Sequence, residues 1–220
     1  MRGRIRLSRG VPDIGRDKSG NWRAALAACL ADGMGRAKAF GMELDPPVDA
    51  RALKSRSAIL AAFTRLALEK RMEAIRIADI VAEAGVGRAT FYGHFQGKEA
   101  VMLAALEPLL VALGSIASGR AAHSYIAGMT AHCWERRALF RALLDSSAVR
   151  AIQRRLGEII GQRLAARGLE GPAPALQATG LAAAQLAMLR SWVGGEVQCT
   201  PDEMATRLIE CAAIVLDTRP

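Results

Sequence analysis

The chain has 220 residues, of which 51% are hydrophobic and only 5% are aromatic. Abundant Ala and Leu favour helices over sheets, and the apolar content excludes a wholly disordered chain. Four cysteines, at positions 29, 133, 199 and 211, include no CxxC pair, which argues against a disulfide scaffold and a structural zinc site. This cysteine usage favours a reducing compartment, so we expect a cytoplasmic protein.

The net charge of +9 is unevenly distributed along the chain. Residues 1–54 carry eleven basic and six acidic side chains, a net charge of +5, whereas residues 55–100 and 101–220 each carry a net charge of +2. A basic surface suits nucleic acid or anionic lipid, and charge alone does not choose between these partners.

The sequence predicts neither a secretory signal nor a membrane span. Four arginines lie within the first nine residues, but no long apolar stretch follows them. The longest uncharged run lies between Glu170 and Arg190, contains two prolines and is mostly Ala, which favours a packed amphipathic helix. We therefore expect no membrane partner.

Residues 1–54 differ in pattern from the rest and are expected to form a basic N-terminal extension. They show no sustained period up to the Asp45-Pro46-Pro47 break, and one short helix is predicted around Asn21–Ala31. Two interpretations stay open: a disordered arm that strengthens DNA binding through phosphate contacts, or a mis-assigned start with Met42 as the first residue.

Helical periodicity begins at Ser55. Apolar residues at 59, 60, 63, 66 and 67 predict a helix over 56–70, and those at 77, 80, 81 and 84 predict a second, shorter helix. Gly85 then stands where a helix end takes a left-handed conformation. Phe91 and Phe95, one turn apart, predict a third helix, and a fourth is expected from Lys98 to about residue 113.

The remaining sequence predicts helices joined by short loops, without strand alternation. The expected helices cover about 121–134, 136–144, 147–167, 174–193 and 201–216, with Gly114 among the breakers between them. Thr200-Pro201-Asp202-Glu203 is a helix start signal, because Thr200 can cap the helix, Pro201 suits its first position and Glu203 can close a capping box. The predicted fold class is all-α.

Two short helices joined by a tight glycine-containing turn are typical of a helix-turn-helix. In such a motif the first helix and the turn hold the second against a small core, so that its outer face enters the major groove. The predicted core residues are Ile80, Val81, Ala84, Val86, Phe91 and Phe95. The predicted groove face shows Gly87, Arg88, Ala89, Thr90, Gly93 and His94.

The stretch from Asp79 to Glu99, DIVAEAGVGRATFYGHFQGKE, resembles the DNA-binding motif of the tetracycline-repressor (TetR) family. With the preceding helix the resemblance covers about 50 residues, and the rest of the chain agrees in layout. The resemblance implies a three-helix helix-turn-helix domain (residues 55–100) followed by a helical effector-binding and dimerisation domain (residues 101–220). It also implies a repressor that binds a palindromic operator as a homodimer through its last two helices.

The same resemblance places the helix-turn-helix at Arg76–Phe95 and implies a set of DNA-contacting residues. Arg88 and Thr90 are the candidates for base contacts, because Arg pairs with guanine in bidentate fashion and Thr offers a hydroxyl and a methyl group. Tyr92, His94 and Lys98 are candidates for phosphate contacts. The full predicted set is Arg76, Gly87, Arg88, Ala89, Thr90, Tyr92, His94 and Lys98.

Each of these residues also has a structural interpretation, and the sequence departs from the family at two positions. Arg88 can be a solvated charge, Tyr92 and His94 can be packing residues, and Lys98 can pair with an acid. Ile75-Arg76 replaces the usual hydroxyl residue at the start of the second helix, and Gly87 is a weaker cap than Ser. Gly93 inside a helix costs about 1 kcal/mol relative to Ala. These departures leave the operator contacts open.

Aromatic, Met and His residues in the central helices are candidates for an effector pocket, although each is also a natural core residue. The predicted pocket residues are Tyr125, Met129, His132, Phe140, Met188 and Trp192, with His123 and Trp134 as further candidates. Few charges are expected in the interior, which favours a neutral or apolar effector. The arginines at 136, 137, 141, 150, 154 and 155 are expected on solvated faces, with contact between Arg150, Arg154 and an acidic ligand as the minor alternative.

The last two predicted helices carry apolar faces that fit either a dimer interface or a monomer core. These faces comprise Leu181, Leu186, Leu189, Trp192, Met204, Leu208, Cys211, Ala212 and Val215. Only the family resemblance favours the dimer.

Two functions remain open after the sequence is considered. The first is a repressor that a small molecule releases from DNA, and the second is a DNA-binding regulator without an effector, controlled by a protein partner. A filled core between the central helices would favour the second. An enzyme is not expected, since the chain has three histidines and lacks GxSxG, HExxH and a Gly-rich phosphate loop. No cofactor and no metal are predicted.

Overall fold

The computed structural model describes residues 50–119 and 121–216. Within those ranges every regular secondary-structure element is a helix, which confirms the predicted all-α fold class. The helices are α1 (Ala50–Glu69), a 3-10 helix (Met72–Ala74), α2 (Ile77–Ala84), α3 (Arg88–His94), α4 (Lys98–Ile116), α5 (His123–Glu135), α6 (Arg137–Leu144), α7 (Val149–Ala165), α8 (Pro172–Gly194) and α9 (Pro201–Leu216). The helix predicted around Asn21–Ala31 and most of the proposed extension lie outside the described residues.

One predicted helix break is wrong. Gly114 lies inside α4, which continues to Ile116. The residue is buried, and a Cβ atom built at this position would collide with the Ile159 side chain of α7. The glycine therefore permits a close approach of α4 and α7 rather than a turn, because the helix packing outweighs its low helix propensity.

Two start and stop signals are confirmed. Gly85 adopts φ 63°, the left-handed conformation expected after α2, and the Val86 amide donates to the Val81 carbonyl at 3.2 Å. At the start of α9, the Thr200 amide donates to Glu203 Oε2 at 2.7 Å and the Glu203 amide donates to Thr200 Oγ1 at 3.2 Å. This reciprocal pair is the predicted capping box.

The helix-turn-helix domain has a small apolar core. Ile59 and Phe63 of α1, Ile80 of α2, Phe91 of α3 and Phe95 directly after α3 are all buried. The core continues through α4, which joins this domain to the helices that follow. The predicted core residues Val81, Ala84 and Val86 are partly buried against the same cluster.

In the part of the chain that the structure describes, α4 is long and apolar enough to cross a membrane by length and composition. Half of that stretch is nevertheless buried inside the protein, including Val101, Leu110 and Leu113. In this fold α4 is a core helix that packs against α1, α5 and α7.

Candidate nucleic-acid interface

Two phenylalanines fix α3 against the rest of its domain. Phe91 is fully buried and Phe95 is 5% exposed, with their ring centroids 6.2 Å apart. The Arg56 guanidinium of α1 lies 5.2 Å from the Phe95 ring centroid, so it covers this ring from the solvent side. These contacts hold one side of α3 inward, and the opposite side faces solvent.

Six of the eight predicted DNA-contacting residues are exposed. Tyr92 is 56% exposed, although its ring also makes an edge contact with Phe91 at 5.4 Å between centroids. The other five are Arg76, Gly87, Arg88, Ala89 and Thr90. The structure thus leaves the N-termini of α2 and α3 open to a phosphate backbone, which the free amide groups of helix N-termini favour.

The start of α2 has a cap that the sequence analysis missed. The Arg76 amide donates to Asp79 Oδ2 at 3.1 Å, and Lys70 Nζ lies 3.5 Å from the same oxygen. The hydrogen bond from the Arg76 amide is the main cause that holds the pKa of Asp79 below its ordinary value, with the charge of Lys70 adding to it. An acidic residue three positions into the helix therefore replaces part of the lost hydroxyl cap, while the Arg76 side chain stays exposed.

His94 is engaged within the protein. Its Nε2 atom lies 2.7 Å from Ser55 Oγ of α1. Because the Ser55 hydroxyl donates to the Ala52 carbonyl at 3.0 Å, we assign the His94 Nε2–H as the donor in this contact. The geometry favours the structural interpretation of His94, in which the ring fixes the end of α3 on α1.

Lys98 is also engaged, through all three of its donors. Its ammonium group donates to the carbonyls of Met72 at 2.9 Å, Glu73 at 3.2 Å and Ile75 at 2.9 Å. An ammonium group has three N–H bonds, so this arrangement leaves none directed at a phosphate. Lys98 therefore ties the first turn of α4 to the segment between α1 and α2, a role that the sequence analysis did not predict.

The six predicted pocket residues do not share a described cleft. Three clefts on the described residues have volumes of about 790, 600 and 460 Å³, and none of the six lines them. Trp192 is fully buried, stacks on Trp134 with centroids 5.0 Å apart, and donates its indole N–H to the Cys199 carbonyl at 2.9 Å. Phe140 is 7% exposed. Both belong to the core, whereas Tyr125, Met129, His132 and Met188 are half-buried.

The core of the C-terminal helices contains one polar group that the sequence analysis missed. Gln185 of α8 is fully buried, and its Nε2 donates to the Leu113 carbonyl of α4 at 3.4 Å. Its Oε1 atom is buried without a hydrogen-bond partner. A buried acceptor without a donor costs stability, so it calls for an explanation beyond packing.

Most residues predicted for the dimer interface lie in the core of the monomer instead. Leu181, Leu186, Leu189 and Trp192 of α8 are at most 3% exposed. Met204, Leu208 and Ala212 of α9 are equally buried, while Cys211 and Val215 are half-buried. The apolar periodicity of α8 and α9 therefore arises from the faces that pack into the monomer core, which carry the larger side chains.

Comparison with known proteins places the helix-turn-helix domain in a family. The family described as bacterial regulatory proteins, tetR family, matches residues 59–105. The HTH-type transcriptional regulator EthR of Mycolicibacterium smegmatis is 43% identical over 54 residues, which make up 24% of this chain and 25% of that protein. The chain thus matches about a quarter of the length of this relative.

A likeness to solved structures extends beyond the matched segment. A TetR transcriptional regulator from Streptococcus agalactiae 2603V has a TM-score of 0.50 to this chain at 22% sequence identity. The likeness covers 74% of this chain and 96% of that one, so it shows a shared fold of a helix-turn-helix domain followed by a helical domain. Sequence and fold agree: residues 59–105 match the tetR family of bacterial regulatory proteins, and the described helices share the fold of a TetR transcriptional regulator.

Proposed function

We propose that the chain is a cytoplasmic transcriptional regulator that binds an operator in DNA through its helix-turn-helix domain, residues 55–100. The observation that carries this proposal is the exposed side of α3, which Phe91 and Phe95 hold in place from the buried side. A rigidly backed helix with an exposed N-terminal half is the geometry that enters a major groove.

The proposed contacts follow from exposure and free donors. Arg88 and Thr90 at the start of α3 contact base edges, and Arg76 and Tyr92 contact phosphates on either side. Gly87 and Ala89 carry no bulky side chain, so the backbone of α3 can approach the DNA closely. Lys98 and His94 belong to the scaffold of this proposal, because their polar atoms already have partners inside the protein.

A homodimer through α8 and α9 is proposed from exposed residues at helical spacing. Leu176 of α8 is 73% exposed and Ile214 of α9 is 77% exposed, so each offers a large apolar side chain that a partner subunit can cover. Beyond Leu176, the same side of α8 carries Gly180, Ala183 and Ala187, and a Cβ atom built at Gly180 would meet nothing within 4 Å. A stripe of small residues allows two helices to pack closely, and a two-fold dimer would match a palindromic operator.

The proposed regulator is a repressor that a small-molecule effector releases. The unpaired Oε1 of Gln185 supports an effector site in the helical domain, residues 101–220, since a ligand donor would satisfy this atom. The surrounding residues are apolar, consistent with the expected neutral or apolar effector. The alternative, a regulator controlled by a protein partner, is favoured by the close packing of α4 on α7 at Gly114.

The test of DNA binding uses the purified full-length protein and fluorescence anisotropy. Labelled DNA from upstream of the gene and of its neighbours is titrated at two salt concentrations with excess competitor DNA. We expect binding that survives the competitor, and Arg88→Ala weakens it by about 1–3 kcal/mol if Arg88 reads a guanine. The control Arg163→Ala removes an exposed arginine of α7 and leaves binding unchanged. Binding that competitor abolishes on every fragment, including sites selected from random DNA, would refute the proposal.

The test of the dimer uses sedimentation equilibrium. Ile214→Glu places a charge on the exposed side of α9, so we expect it to convert dimers to monomers and to weaken operator binding. Leu68→Glu is the matched control, because Leu68 is a 59% exposed apolar residue of α1, outside α8 and α9. Equal dimerisation by both variants would contradict the proposed interface.

A further inference from the structure

The largest of the three described clefts lies between the helix-turn-helix domain and the helical domain. Its volume is about 790 Å³, within the range of small-molecule sites. Arg71, Met72 and Glu73 line one side, and α6 with the loop after it lines the other. This surface, the junction cleft, does not include any residue of the predicted effector pocket.

We propose that the junction cleft binds a small polyanion, an organic polycarboxylate or a phosphate compound, and that this binding changes operator affinity. Three arginines line the cleft: Arg71 from the helix-turn-helix domain, and Arg137 and Arg141 from α6. Arginine is suited to this role, because its planar guanidinium forms paired hydrogen bonds to carboxylate or phosphate oxygens.

The arginines of the junction cleft are only partly neutralised. Within the described part of the chain, neither Arg71 nor Arg137 has a carboxylate at ion-pair distance. Arg141 lies 3.7 Å from Asp145 Oδ2, but Asp145 Oδ1 accepts a shorter bond of 2.7 Å from Arg190 Nε. The charge of Asp145 is thus shared between two arginines, and Arg141 keeps donors for a ligand.

The second carboxylate in the cleft is also engaged. Glu73 Oε1 accepts bonds from the Ser147 amide at 3.2 Å and from the Ser147 hydroxyl at 2.9 Å. The cleft therefore has three arginines against two carboxylates that already have partners within the protein. A small anion with several oxygen atoms is the ligand that complements this balance.

The position of the cleft connects ligand binding to DNA binding. Arg71 and Glu73 belong to the domain that carries α3, whereas Arg137, Arg141 and Ser147 belong to the helical domain. An anion held by arginines from both sides favours one arrangement of the two domains, and a negative charge beside Glu73 opposes its contact with Ser147. Because coupling is reciprocal, operator DNA must change the affinity for the anion by the same factor.

The structure supplies a local probe of occupancy. The Arg137 guanidinium lies 5.2 Å from the ring centroid of Trp134, a cation–π contact. An anion that draws Arg137 into the cleft changes the surroundings of Trp134 and therefore its fluorescence. The variant Trp134→Phe removes this signal and identifies its source.

The experiment titrates the full-length protein with citrate and, separately, with pyrophosphate while sodium chloride holds the ionic strength constant. We expect a saturable change in tryptophan fluorescence with at least one probe. Tighter binding of citrate would indicate a polycarboxylate ligand, and tighter binding of pyrophosphate would indicate a phosphate compound. Arg71→Gln and Arg141→Gln each weaken binding about tenfold, the loss of one charge-assisted hydrogen bond. Arg163→Gln, which removes an exposed charge outside the cleft, leaves binding unchanged.

Equal titrations for the Arg71, Arg141 and Arg163 variants, or no saturable change with either probe, would overturn the proposal. A second titration measures operator affinity with and without the saturating probe, and we expect an effect in the wild-type protein that Arg71→Gln abolishes. The operator titration rests on the proposed function, and the proposed function and the proposed coupling can fail separately. Cleft binding without DNA binding would refute the regulator alone, whereas DNA binding that the probe leaves unchanged would refute the coupling alone.

Discussion

Replacing Lys98 with Met separates two roles for this ammonium group. The Met side chain keeps the apolar stem but removes three hydrogen bonds to the carbonyls of Met72, Glu73 and Ile75. If Lys98 fixes the start of α4, the variant loses stability. If Lys98 contacts phosphate, it loses only affinity for DNA.

The magnitude of the stability loss follows from the geometry. A hydrogen bond from a charged donor contributes about 1.5–3 kcal/mol, and the three bonds of Lys98 share one half-buried donor group, so they do not add in full. We expect Lys98→Met to lower the free energy of unfolding by about 2 kcal/mol. For a chain of this size, that corresponds to a decrease in Tm of about 4–8 °C.

Thermal unfolding and salt-dependent DNA binding together distinguish the scaffold role of Lys98 from a phosphate contact. Loss of a phosphate contact lowers the slope of log Kd against log salt by about 0.9 per contact. We expect Lys98→Met to lower Tm and keep this slope, whereas Arg76→Met, at an exposed candidate for a phosphate contact, keeps Tm and lowers the slope. An unchanged Tm with a reduced slope for Lys98→Met would refute the scaffold role.

Three further outcomes are expected. Gly85→Ala destabilises the protein by about 1 kcal/mol in urea unfolding, because Gly85 has a positive φ. Gly93→Ala, inside α3, stabilises it by about 1 kcal/mol, because Ala has the higher helix propensity. Equal effects of the two substitutions would contradict this. A hydrogen bond from its own backbone amide, followed by those from the Ser147 hydroxyl and amide, lowers the pKa of Glu73 below its ordinary value of 4.5. The contribution of Glu73 to stability is therefore complete above pH 4.5 and disappears as the pH falls through the lowered pKa. The Tm difference between wild type and Glu73→Gln should therefore shrink in acid, and a constant difference would argue against this contact. Gln185→Leu should raise Tm in calorimetry, since it removes a buried unpaired acceptor, and a lower Tm would show that Oε1 has a partner in solution.

Local signals in the sequence predicted most of the helices and their ends. The turn at Gly85 and the capping box at Thr200 depend on residues within five positions of each other, so the sequence displays them directly. Gly114 was misjudged because the partner that explains it, Ile159, lies on another helix. A propensity scale does not include such a partner.

In the candidate site too, local features were predicted from the sequence and contacts between distant residues were not. Phe91 and Phe95 were identified from their spacing, and the structure places both in the core. The partners of Lys98 and His94 lie between 23 and 39 positions away along the chain, and Glu73 and Ser147 are 74 positions apart. Neither periodicity nor composition marks such pairs. The contacts of Arg88 and Thr90 with bases stay predictions, because they depend on the DNA.

The two ends of α4 are fixed to different parts of the protein. At one end the Lys98 ammonium holds the segment between α1 and α2, and at the other end Gly114 lies directly against Ile159 of α7. These residues are sixteen positions apart, which corresponds to about 24 Å along a helix. A rotation of α4 by about 5° about its Gly114 end would therefore move its Lys98 end by about 2 Å. A small rotation of α4 at its packing contact with α7 would therefore be enlarged at the segment between α1 and α2, which Lys98 holds.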